Sequence, residues 1–263
     1  MAYLYETHLH TAGVSKCASS SGAEYIAPYI DSGYSGMIVT DHFFNGNSDL
    51  SRKLPWKEWV NRFCRGFEIA KEEGERRGFG VFFGWEETFD GFDDYLVYGL
   101  DKNWLLEHPE VRSWTRGEQY RSVKDAGGCV VQAHPFRMRH YIQRIVLSTG
   151  CVDAVEVANG GNEEFSDSLA YRYAKKIGKP MTAGTDIHDA SLIVGGEIFG
   201  VYLEKKLNSI EDYVKIICND QIKEIKTYQD RTASYYNKII KIPVEIRDDH
   251  DLVTGKHWKE FVN

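Results

Sequence analysis

The sequence predicts an α/β fold built on a parallel sheet. Short apolar runs alternate with helical segments along most of the chain, the order that calls for parallel strands, closed or open. Histidines and acidic residues gather at the carboxyl ends of those runs. Size agrees: 263 residues with 42% hydrophobic and 27% charged side chains exclude a fibrous or wholly disordered chain, and barrels reach this length as one unit.

The elements follow in order. Residues 3–10 alternate, with Tyr3, Tyr5, Thr7 and Leu9 on one face and Glu6, His8 and His10 on the other, as in a strand. Ser21 with Glu24 forms a capping-box pair opening a helix that runs to Ser32 and ends at Gly33. Residues 36–40 form an apolar run, the mark of a strand covered on both faces, and deliver Asp41 and His42 at its end. A long helical segment follows Pro55 and reaches about Arg77, with strands next at 79–85 and 95–99. Thr115 with Glu118 caps a helix that Gly127 and Gly128 end, and 129–133 then runs as a strand into His134. Strands at 153–158, 180–183 and 197–203, with helices at 166–177 and 209–218, complete the order. No internal repeat is visible. Residues 1–240 read as a single domain and 241–263 as a peripheral strand or loop whose His250 and His257 are solvated.

An excess of 39 acidic over 32 basic residues gives a net charge of −7, which argues against an extended nucleic-acid track and for small-molecule partners. No stretch approaches the ~18 consecutive apolar residues of a membrane span, and the first residues lack a basic-then-apolar leader, so the expectation is a cytoplasmic protein with no membrane contact. The five cysteines, Cys17, Cys64, Cys129, Cys151 and Cys218, are scattered and form no C-x-x-C pair. Neither a disulfide framework nor a zinc ribbon is indicated, and a reducing compartment fits.

His8 with His10, Asp41 with His42, Glu86 or Glu87, His134, and Asp186 with His188 each stand at or just past the carboxyl end of a predicted strand. Parallel sheets and barrels build their active sites there. His-x-His on a strand puts both imidazoles on one face within reach of one ion, and Asp186-x-His188 repeats that geometry. Imidazole and carboxylate together suit Zn, Mn or Fe rather than Ca or Mg. The convergence predicts a multinuclear metal centre.

These residues resemble the PHP (polymerase and histidinol phosphatase) domain of metal-dependent phosphoesterases. The four motifs of that family are visible as Glu6-Thr7-His8-Leu9-His10-Thr11, Thr40-Asp41-His42, Ala133-His134-Pro135 and Gly184-Thr185-Asp186-Ile187-His188, with Gly84-Trp85-Glu86 as its Gly-apolar-Glu strand end. The resemblance covers roughly residues 1–205. It implies a distorted (β/α)7 TIM-like barrel whose carboxyl-end cleft holds two or three divalent ions and hydrolyses phosphate esters. By that resemblance His8, His10, Glu86 and Asp186 surround a first ion, Glu86 bridges to a second held also by His134, and His42 with His188 holds a third. Glu86, Asp186 and His188 are the expected catalytic residues. Two departures follow: Gly13-Val14-Ser15-Lys16-Cys17 stands where relatives place an Asp or His, and Asp93-Asp94-Tyr95 where a His is common. Asp94 and Cys17 are the local substitutes, with Asp41 a further candidate ligand.

Paired ions ~3.5–4 Å apart would supply charge neutralisation and a bridging hydroxide for in-line attack on a small phosphate monoester. Arg137 and Arg139, directly after His134-Pro135-Phe136, are placed to bind phosphate, and Asn159 either hydrogen-bonds substrate or ends its strand in a turn. An amidohydrolase-type C–N hydrolase shares the His-x-His strand but needs a lysine at a middle strand end, and none is evident. A non-catalytic, metal-stabilised PHP domain is the other alternative. The motifs leave the leaving group open among histidinol phosphate, a nucleotide and a sugar phosphate.

Overall fold

The computed structural model describes residues 2–193, 199–227 and 240–263. Strand β1 (Tyr3–Leu9) is followed by a 3-10 turn and α1 (Ile26–Asp31), then β2 (Tyr34–Val39). The Ser21–Glu24 capping box is present and Gly33 ends the segment at φ 82. The long helix expected after Pro55 is two, α2 (Trp56–Phe63) and α3 (Arg65–Arg77), interrupted at Cys64. β3 (Gly80–Thr88) and β4 (Asp94–Tyr98) form a hairpin. After it come α4 (Lys102–Glu107), α5 (Arg116–Asp125), β5 (Cys129–Gln132), β6 (Ile145–Ser148) and β7 (Ala154–Asn159). α6 (Glu164–Ile177), β8 (Met181–Gly184), β9 (Gly200–Leu203), α7 (Ile210–Cys218), β10 (Glu224–Lys226) and β11 (Val244–Arg247) complete the chain. Of the strand expected over 197–203, residues 197 and 198 lie outside the described residues.

The main sheet has the order β10-β9-β1-β2-β3-β4-β5-β7-β8, so sheet and helices form a mixed α/β barrel. Strands β1, β2, β3, β5, β7 and β8 point the same way, whereas β4 runs antiparallel to both its neighbours and β9 antiparallel to β1. The parallel sheet expected from the sequence is present over six strands, with β4 and β9 reversed within it. The loop between β3 and β4 is too short for the crossover of a dozen or more residues that a parallel return needs.

The sheet nearly closes on itself. Past β8, the Asp186 N–H donates to the His8 carbonyl at 2.7 Å and the His10 N–H donates to the Ile187 carbonyl at 3.0 Å, so the last motif pairs directly with the first. Fully buried Trp59, Phe63, Phe43 and Trp85 pack α2 against β3, with Phe43 5.1 Å centroid to centroid from both Trp59 and Phe63. Burying each such side chain contributes about 1.5–3 kcal/mol. In the tail, β11 pairs in parallel with β6, and Ile246 and Val262 join the core beside Phe136 and Tyr173, while His250 and His257 are exposed. Among the described residues no helix is long and apolar enough to cross a membrane.

Candidate metal centre

The shared direction of β1, β2, β3, β5, β7 and β8 brings their carboxyl ends to one rim. His8 and Glu86 project inward from β1 and β3, and His10, His42, His134, Asp186 and His188 follow the ends of β1, β2, β5 and β8. The reversal of β4 puts its first residue, Asp94, on that same rim, which a parallel β4 would not do. His134 at φ 28 and Asp186 at φ 54 occupy the left-handed region, which costs non-glycine residues on the order of 1–3 kcal/mol each. Surrounding bonds hold them there: the His134 N–H donates to Glu156 Oε2 at 3.0 Å, and the Asp186 N–H is bound to β1.

Glu86 is the hub. Its Oε1 lies 3.2 Å from His8 Nε2 and 3.1 Å from His134 Nε2, while its Oε2 lies 2.7 Å from His42 Nδ1 and 3.5 Å from His10 Nε2. Asp186 Oδ1 stands 3.0 Å from His10 Nε2 and 3.4 Å from His8 Nε2. Among the described residues, ligand atoms cluster as four overlapping groups: His8, His10 and Glu86; His8, His134 and Asp186; Glu86, Asp94 and His134; and His10, His42 and His188. Cys17 stands beside the last group, against His188 and His42.

A second layer aims these ligands. His8 Nδ1 meets Glu156 Oε1 at 2.9 Å, and His10 Nδ1 meets Ser15 Oγ at 3.2 Å, whose own proton goes to Asp41 Oδ1 at 2.6 Å. Both Nδ1 atoms are therefore donors, and in the neutral rings both Nε2 atoms present lone pairs. Those Nε2 atoms stand 3.2 Å apart beside two carboxylates, an arrangement that a cation between them relieves. Glu86 Oε2 and His42 Nδ1 are moreover buried without a well-aligned hydrogen bond. The residues fit divalent ions.

Glu156 was not singled out by sequence reasoning, although a carboxylate between Val155 and Val157 in a strand interior was a visible signal. It is fully buried and accepts from His8, His134 and Asn159 together. Glu156→Gln sets an amide N–H against one of those donors. We expect metal affinity to fall roughly 10–100-fold, measured by competition with a chromophoric chelator; unchanged affinity would show that Glu156 does not orient His8.

The electrostatics are those of crowded charge. Burial raises the Glu86 carboxyl, but His42 and His8 outweigh it and hold the group well below the usual range. Asp186 is likewise held low, burial being overcome by Arg137, His8 and His10. Asp94 is pushed well up by burial and by the charge on Glu86. Burial and the neighbouring His42 lower His10 to about 3, whereas carboxylates override burial to raise His8 well above its usual value. Burial would raise the Cys17 thiol, but hydrogen bonds with His188 and His42 bring it down to about 6.

Two expected site residues have their polar atoms engaged within the protein. Asp41 does not face the cluster: Oδ1 accepts from the Thr11 N–H and from Ser15, and Oδ2 accepts from Thr11 Oγ1. It orients His10 through Ser15. Gly66 of α3 leaves room for this network, since a methyl there would stand 2.8 Å from Asp41 Oδ2. Asn159 is fully buried and ends β7 in a turn, its Oδ1 accepting from the Gly161 N–H at 2.8 Å and from Arg137 at 2.8 Å while its amide donates to Glu156 at 2.9 Å, so it positions Arg137. Arg137 also donates to Asp186 Oδ2 at 2.5 Å, and Arg139 is exposed and bonds the Gly161 carbonyl. Both arginines line a cleft of about 690 Å³ that opens over Asp94, Asp186, His42, His188 and Cys17.

No family model and no curated protein sequence matches this chain. Solved structures do. A two-domain protein from Bacteroides vulgatus ATCC 8482, described as containing a predicted PHP-like metal-dependent phosphoesterase, superposes with a TM-score of 0.61 at 16% identity over 84% of this chain. This chain spans 64% of that protein's length. A proposed metal-dependent phosphoesterase from Bifidobacterium adolescentis ATCC 15703 gives a TM-score of 0.54 at 15% identity, over 83% of this chain and 96% of its own. The lesion-specific endonuclease PfuEndoQ from Pyrococcus furiosus gives 0.52 at 12% identity, over 83% of this chain and 56% of its own. The chain has the PHP-type barrel fold.

Proposed function

We propose that the protein is a metal-dependent hydrolase of small phosphate monoesters, with two or three divalent ions, Zn, Mn or Fe, held by His8, His10, His42, Glu86, His134, Asp186 and His188. The observation that carries this reading is the buried pair of Nε2 atoms of His8 and His10, 3.2 Å apart and flanked by Glu86 and by Asp186, which also lines the open cleft. Divalent ions at such a site neutralise phosphoryl oxygens and supply a nucleophilic hydroxide near neutral pH.

The protein's own part is positional and electrostatic. Glu86 offers one oxygen toward His8 and His134 and the other toward His10 and His42, the disposition of a bridging ligand. Asp94 supplements His134, and Cys17 supplements His42 and His188. Arg137, anchored by Asn159 and Asp186, presents a planar cation for phosphate, and exposed Arg139 adds a second on the cleft wall. A compact cleft and a net charge of −7 favour a small monoester over a polynucleotide. The deciding experiment loads the protein with Zn, Mn or Fe and screens metabolite monophosphates beside single-stranded and duplex oligonucleotides. Cleavage of polynucleotide alone, with no monophosphate turned over, would overturn the proposal.

Cys17 gives this reading a spectroscopic test. A thiolate is a strong zinc-type ligand, and its cobalt complex carries a sulfur-to-metal charge-transfer band. Cobalt-loaded protein should show that band and Cys17→Ser should lose it. Identical spectra would remove Cys17 from the centre.

A further inference from the structure

Phe92 and Tyr141 line the cleft over the ligand cluster beside its charged and polar side chains. Among the described residues these are the exposed aromatic side chains, 48% and 47% accessible, and both lie on this cleft. Their centroids are 6.0 Å apart at 67°, an edge-to-face pair that leaves ring surface open to the cleft.

The exposure of Phe92 is enforced. It sits in the turn between β3 and β4 at φ 57, a conformation disfavoured for bulky side chains. Buried Arg116 holds the turn from both sides, donating to Asp90 Oδ1 at 2.7 Å and to both Asp93 oxygens at 2.6 Å. Arg144 takes Asp90 Oδ2 at 2.9 Å, and the Arg116 guanidinium covers the Phe89 ring at 4.8 Å. An apolar ring is thus presented to water by a strained, ion-clamped turn whose next residue but one, Asp94, belongs to a candidate ligand group. Packing does not require this arrangement, since Phe92 belongs to none of the hydrophobic clusters.

We infer that Phe92, braced by Tyr141, is a stacking platform for a planar heterocycle, so that the preferred monoester is a nucleotide whose phosphate meets Arg137 and the metal cluster. This rests on the phosphoesterase reading above and adds the class of leaving group. A sugar phosphate has no π-system to stack on the ring, so it gains less there than a base does. A cleft of about 690 Å³ lies within the range of small-ligand sites and has room for a ribose between phosphate and base.

The test compares AMP with ribose 5-phosphate, which share the reacting ester and differ by the base. kcat, KM and calorimetric binding are measured on metal-loaded wild type, Phe92→Ala and Phe92→Tyr. Base stacking predicts that wild type favours AMP in kcat/KM by roughly ten-fold or more, mainly through KM. Phe92→Ala should bring the ratio close to one, and Phe92→Tyr should retain it. Equal kcat/KM for both substrates in wild type, equal losses on both in Phe92→Ala, or no AMP binding would overturn the inference. Preferential AMP binding without hydrolysis would sink the phosphoesterase reading and leave the platform standing. Turnover of both substrates with equal efficiency would do the reverse.

Discussion

Glu86→Gln is expected to lose at least about a hundred-fold in kcat/KM together with bound metal, whereas Glu87→Gln should stay within about two-fold of wild type. The two carboxylates are adjacent in β3 and both are buried, but successive strand residues point to opposite faces. Glu86 is the side chain that four histidine nitrogens approach within 3.5 Å. An amide there removes the charge that compensates two or more ions and turns one oxygen into a donor. Removing a group behind a metal ligand costs roughly 10–100-fold, so loss of a bridging ligand should cost more. Glu87 faces Asn45, 3.3 Å away, and burial pushes its carboxyl up to about 8. At neutral pH burial therefore favours the uncharged acid, of which Gln is a close isostere. Metal analysis and kinetics on both variants decide the matter: normal activity and metal in Glu86→Gln beside loss of both in Glu87→Gln would refute the assignment.

Chelation should abolish activity, and Zn, Mn or Fe should restore it, because the proposed nucleophile is a hydroxide supplied by ions held among Glu86, Asp186 and the histidines. Metal should also stabilise the fold. At a hundred-fold excess over its dissociation constant one ion adds about 2.7 kcal/mol, and for a chain of this size that moves Tm up by roughly 5–10 °C. The sign of the pH dependence follows from the carboxylates that hold protons on His8 and His42, both raised well above the usual value against the opposing effect of burial. An ion must displace those protons, so metal affinity should weaken as pH falls and strengthen as it rises. Full activity in chelator, or zinc affinity independent of pH, would contradict this account.

Much of the centre was legible in the chain. His8 and His10 are two apart in an alternating run, so any strand there puts both on one face; Asp41-His42, His134 and Asp186-x-His188 each close an apolar run. Strand period and the direction of a βα repeat are local properties, and they were enough to predict a metal-bearing rim. The capping pairs Ser21–Glu24 and Thr115–Glu118 were legible for the same reason, each being a contact three residues long.

What remained hidden depends on closure of the barrel. Asp41 and Asn159 occupy strand ends as good ligands would, yet Asp41 is captured by Thr11 and Ser15 across β1, and Asn159 by Glu156 and Arg137. Glu156 meets His8 across 148 residues of sequence. Asp94 reaches the rim through the reversal of β4, and β6 finds its partner in the tail strand β11. Local periodicity sets which face a side chain takes, but the group it meets on that face comes from whichever strand the closed sheet brings opposite. That pairing is a property of the whole barrel, where burial leaves no polar atom the choice of water.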